Sequence, residues 1–138
     1  MHPYRAYQQP AVVGLTRIDL ILALYEETLK RMEQGLDALK RNDRSAAQAR
    51  LARAQVLIAG LAAGVDPEQG ELPRNFLRLY DFALSSVRQE TVPGVEAALR
   101  ILRTLEEGLV GIRPAAQQQE LSGQIRSADL MLGTCATA

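Results

Sequence analysis

Apolar positions in this chain fall into four blocks, each with a helical repeat. In the first, Ile18, Leu22, Tyr25, Leu29, Met32, Leu36 and Leu39 alternate in steps of four and three. Such steps keep side chains on one face of a helix with 3.6 residues per turn. Thr16 followed by Asp19 forms a capping-box pattern, and an acid there also suits the positive helix end. At residues 40–43, Lys40 and Arg41 suit the end of one helix, and Asn42 and Asp43 suit the start of the next. The second stripe is Ala47, Leu51, Ala54, Ile58, Leu61 and Val65, whose alanines allow close helix approach.

Residues 64–73 hold Gly64, Pro67, Gly70 and Pro73, which end one helix and preset the first turn of another. Phe76, Tyr80, Ala83 and Val87 form a third stripe. Leu77, Leu79, Phe82 and Leu84 widen it, so this helix is predicted to be covered on two sides. After Thr91, Pro93 and Gly94 comes a fourth stripe, Val95, Ala98, Leu102, Leu105, Leu109 and Ile112, predicted to stop before Pro114. Short connections make neighbouring helices antiparallel. The expected fold is all-α: an antiparallel up-down four-helix bundle over residues 16–113, with an N-terminal arm (1–15) and a C-terminal tail (114–138). The tail carries a weak repeat, Leu121, Ile125, Ala128 and Leu132, compatible with a short helix or with a flexible end.

Composition narrows the partners. At 47% hydrophobic residues, a chain of 138 residues can fill one core, and at 4% aromatic residues that core is mainly aliphatic. Lys plus Arg and Asp plus Glu balance at 16 each, so the basic excess that phosphate backbones demand is missing, and nucleic acid is not an expected partner. Charges interrupt the apolar residues at each helical turn, which argues against membrane insertion. Cys135 is the sole cysteine; without an internal partner it suits a reducing, cytoplasmic setting and reads as an incidental thiol.

Catalytic chemistry is thinly represented. His2 is the sole histidine and stands beside the first residue, so neither a histidine-based metal cluster nor a phosphorelay histidine on a helix can be assembled. The pairs Glu26-Glu27 and Glu106-Glu107 are adjacent on helices. Their side chains diverge by about 100° and do not converge on a site. The chain is read as a non-enzyme without cofactor or metal.

Leu20 and Leu24 are four apart and rotated away from the first stripe. Two readings remain open for them: a wide core with the N-terminal arm folded on top, or a groove that receives an apolar helix of another chain.

Several segments together carry a resemblance: the Tyr-bearing residues 4–9, LILALYEETLKRM, RAQVLIAGLAAGVD and above all GELPRNFLRLYDF. Asp66, then Gly70-Glu71, Asn75 and Leu79-Tyr80-Asp81 are its most specific parts. In these the chain resembles the flagellin-specific export chaperones, the FliS family, over roughly its first 113 positions. Departures are Glu26-Glu27, where Asp-Gly is usual, and Leu109, where an aromatic is common.

The resemblance implies a four-helix bundle that binds the disordered C-terminal segment of flagellin in the cytoplasm. It would prevent premature polymerisation and aid delivery to the flagellar export apparatus. By the same resemblance, the client lays short helices in apolar grooves and the arm occupies part of that surface when no client is bound. Tyr4 and Tyr7 are then gate residues and Leu20, Leu24 and Leu79 groove residues, with Asn75 and Tyr80 as further partner-binding candidates. Tyr25, Asn75, Tyr80 and Asp81 also admit a purely structural role. Alternatives are a helical adaptor for another secretion client or regulator, and a homodimer that buries the same surplus surface.

Overall fold

A computed structural model describes residues 16–123. Four helices follow the four stripes: α1 (Arg17–Lys40), α2 (Arg44–Ala63), α3 (Glu71–Arg88) and α4 (Val92–Leu121), with a 3-10 turn at Pro67–Gln69 before α3. Each helix packs on its sequence neighbours, and α4 closes the ring on α1. This is the expected all-α four-helix bundle. Its core holds Tyr25 and Met32 of α1, Leu51 and Ile58 of α2, Tyr80, Ala83 and Val87 of α3, and Val95 and Leu102 of α4, all within 3% of full burial.

Local chemistry sets the helix ends. The Asp43 carboxylate accepts the Ala46 N–H at 3.1 Å and so caps α2. Asn42 takes the left-handed conformation (φ 59°), which asparagine tolerates, and the Asp43 N–H returns to the Ala38 carbonyl at 2.9 Å. The Thr91 hydroxyl accepts from Gly94 N–H at 3.1 Å at the start of α4. Between α1 and α2 the helices come so close that a Cβ on Gly35 would stand 2.5 Å from Leu51 Cδ2, so only glycine fits without a shift in the core.

The end of α4 differs from expectation. Residues 114–121, assigned to the tail on the strength of Pro114, belong to α4, which runs through the proline to Leu121. Proline lacks an N–H and costs about 3 kcal/mol inside a helix. The penalty is offset by what the turns on either side of the proline reach. Asp19 of α1 receives Arg113 Nε at 2.8 Å and Gln117 Nε2 at 3.0 and 3.1 Å, besides the Thr16 N–H at 3.0 Å and the Thr16 hydroxyl at 2.9 Å. Glu120 accepts the Arg17 N–H at 2.9 Å, placing a second acid at the positive end of α1. Beneath these bonds Ala116 and Ile18 form a small separate core, flanked by Leu22 and Leu109.

The Asp19 side chain is only 7% exposed. Burial pushes its carboxyl up, but the Thr16 N–H, Gln117, the Thr16 hydroxyl and Arg113 together outweigh this and hold it at about 2, against an ordinary 3.8. A depressed folded-state pKa stabilises the fold above the unfolded value, and the contribution disappears as pH falls through the folded value. Asp19→Asn should therefore cost roughly 2 kcal/mol at neutral pH. In urea titrations at a series of pH values, the gap between wild type and variant should be constant above about pH 5 and close towards pH 2. A gap independent of pH would refute the clamp.

Candidate partner-binding surface

Four-residue and three-residue steps place Phe76, Tyr80, Ala83 and Val87 of α3 against the core. Rotated by roughly 100° from that stripe are Leu72, Leu79 and Phe82. Leu72 is 43% exposed, Phe82 50% exposed and Leu79 half-buried. The helix packs on two sides, against α2 and α4, and Leu77, Leu79 and Leu84 are half-buried, but Leu72 and Phe82 stand exposed on the α4 flank.

On α4, Arg103 reaches Glu33 of α1 at 2.6 Å and Arg113 reaches Asp19, so that flank faces α1. The opposite flank, with Ile101, Leu105, Gly108 and Ile112, must face α3, the other helix against which α4 packs. Antiparallel right-handed helices around one core turn the same rotational flank to each other. The Leu72–Leu79–Phe82 flank and the Ile101–Leu105–Ile112 flank therefore border one seam. None of these residues is charged; Arg100, Arg103, Glu106 and Glu107 all fall on other sides of α4. The seam between α1 and α4 is its opposite in character. There a groove of about 440 Å³ is lined by Glu33, Asp37 and Glu96 against Lys40, Arg100 and Arg103, with Leu36 and Leu99 at its base. Arg103–Glu33 at 2.6 Å and Lys40–Glu96 at 3.9 Å cross it.

The predicted site residues do not form one cluster. Leu20 is 42% exposed and Leu24 half-buried on the flank of α1 turned to α2, the flank that carries Gly35 against Leu51. That seam lies across the bundle from the one bearing Leu79. Asn75 is exposed and its side-chain oxygen accepts from Arg78 at 2.7 Å. Tyr80 is not at the surface: it is 3% exposed, and its hydroxyl lies 2.5 Å from that of fully buried Tyr25, across the diagonal between α1 and α3. Phe76 meets the Tyr80 ring edge-on at 6.0 Å. Burial raises the pKa of both phenols, so both stay protonated and one donates to the other. Tyr4 and Tyr7 lie outside the described residues.

Ile101 and Gly108 carry no motif, and sequence reasoning passed over them. The signal available was the placement of all charges between Ala97 and Ile112 on one side of the helical wheel. Among the described residues, no group of three or more His, Cys, Asp or Glu side chains is placed to hold a metal ion, and no helix is long and apolar enough to cross a membrane.

The family model of the flagellar protein FliS matches residues 1–118, most of the chain. The protein belongs to the FliS family. Among curated proteins none matches it. Membership gives the chain a flagellar chaperone role. It also gives meaning to the Leu79-Tyr80-Asp81 run that carried the resemblance to FliS proteins. Consecutive residues diverge by about 100°, so Leu79 lies on the open seam, Tyr80 in the core and Asp81 in solvent.

Removing one partner of a buried hydroxyl pair leaves the other unsatisfied, at about 1–2 kcal/mol. Tyr25→Phe and Tyr80→Phe should each destabilise by about that amount, while the double variant should lose less than the sum of the two, giving a coupling of about 1 kcal/mol in urea denaturation. Additive losses would show that the two hydroxyls do not depend on each other.

Proposed function

We propose that the protein binds the disordered C-terminal segment of flagellin in the cytoplasm, keeps it from polymerising before export, and presents it to the flagellar export apparatus. The observation that carries this reading is the uncharged, half-open α3/α4 seam with Phe82, Leu72 and Ile112 exposed at its rim. An exposed run of large apolar side chains bordered by polar residues fits a partner's apolar helix face. Leu20 and Leu24 supply a smaller apolar patch across the bundle, and Asn75 a polar contact beside the α3/α4 seam. A client that wraps around the bundle would meet all three. Tyr4 and Tyr7 are the residues through which the N-terminal arm would compete for this surface. Tyr80 acts from beneath, by fixing how α3 is rotated.

Binding by such a surface is thermodynamic capture. The client loses conformational entropy on docking, apolar burial repays it, and the free concentration of polymerising segments falls by mass action. Release then requires only that the export machinery compete for part of the wrapped area.

Calorimetric titration with a flagellin C-terminal peptide tests the reading. Phe82→Asp and Ile112→Asp alter exposed side chains, so the bundle should stay folded while affinity falls about tenfold or more for each, or about 1.4 kcal/mol. Val56→Asp changes a residue that is 61% exposed on α2, the helix diagonal to α4, and should leave affinity unchanged. A wild-type protein that ignores the peptide would defeat the reading, and so would equal losses at Phe82 and Val56.

A further inference from the structure

We propose that the last turns of α4, residues 115–121, form a lid that swings on a hinge at Gly108–Pro114 and, when open, bares Ile18, Leu22 and Leu109. The lid follows from the way α4 is built and clamped, whichever client the bundle binds.

The hinge residues weaken a helix, and the closed structure has no other use for them. Gly108, Gly111 and Pro114 follow one another at three-residue steps, all exposed on the outer face of α4. A Cβ on Gly108 or Gly111 would meet nothing within 4 Å, so neither glycine is there to let another element come close. Neither makes a left-handed turn: among the described residues the glycines with positive φ are Gly70 and Gly123. What remains of glycine's properties is its freedom, which lowers the cost of leaving the helix. Pro114 adds to this, because it has no N–H to give the Val110 carbonyl.

Beyond the hinge, apolar anchoring is thin. No residue of α4 between Leu102 and Ala116 is buried, and Ala116 gives the lid a single buried methyl group. The remaining holds are polar, Gln117 on Asp19 and Glu120 on the Arg17 N–H. They are incomplete, since Arg17 Nε and Glu120 Oε1 are buried without a hydrogen-bond partner. Water reaches both when the lid opens, so opening recovers part of the desolvation cost that closure imposes. A segment with little buried apolar surface, bonds that water can replace and a weakened helix behind it opens ahead of the whole fold. What it covers is larger than what it buries of itself: Ile18 is 1% exposed beneath Ala116, with Leu22 and Leu109 packed alongside.

Native-state hydrogen exchange on the full chain tests the lid. The amides of Gln117 to Leu121 and the Arg17 amide, whose acceptor is Glu120, should share one opening free energy. That opening should be about tenfold or more as frequent as the one that frees Leu51 and Ile58 in the core. Low urea should speed the core amides and leave the lid amides alone, because a small opening exposes little surface. Gly108→Ala and Gly111→Ala touch no neighbour and should each slow the lid amides and Arg17 about fivefold, the helix preference of alanine over glycine. Gly60→Ala, equally free of neighbours but on α2, should slow the core amides and leave the lid amides unchanged. Protection that rises residue by residue inward from Leu121 and ignores Gly108 and Gly111 would mean simple fraying. Exchange of lid and core at one rate would mean that α4 opens only with the whole bundle. Either result overturns the proposal.

Discussion

The hydrogen bond between Tyr25 and Tyr80 joins α1 and α3 across the bundle's diagonal, and the arrangement of the surface follows from it. A buried phenol has few orientations that satisfy its hydroxyl, so the pair holds α3 at one rotation about its own axis. With Tyr80 turned inward, Leu79 and Phe82 have to emerge on the side of α4. A residue deep in the core thereby decides where the apolar seam opens, without itself being reachable by a partner.

The second organising contact is the Asp19 carboxylate, which gathers donors from its own helix and from two successive turns of α4. It lets α4 continue past a proline that would otherwise end it. The result is an asymmetric bundle: α4 has 30 residues and α3 has 18, and the last turns of α4 are bonded to the first turn of α1.

Much of the fold was legible in the sequence because four stripes with helical spacing and three sets of turn residues leave little freedom. The seams of α1, α2 and α3 lie where the spacing put them, and Thr16, Asp43 and Thr91 stand at the helix starts. The end of α4 was not legible. Pro114 is a local signal, and it was overruled by Arg113, Gln117 and Glu120 meeting a partner nearly a hundred residues away. The surface was legible only in part. Periodicity shows that α1 and α3 own surplus apolar residues, but not that Leu20 and Leu79 border different seams, because that depends on which helix flanks are neighbours. Tyr80 matched a motif, and a motif does not say whether a side chain points outward or inward.

A single helix, α4, separates an ionic furrow from an oily one, and the two answer differently to salt. Added electrolyte screens the exposed Arg103–Glu33 and Lys40–Glu96 pairs on the α1 side and finds far less to screen on the α3 side, where Leu72, Leu79, Phe82, Ile101, Leu105 and Ile112 carry no charge. A polypeptide landing on the oily side is met without long-range attraction. Selectivity there has to reside in contour and in the sequence of bulky and small side chains along the furrow, which screening of charges does not weaken.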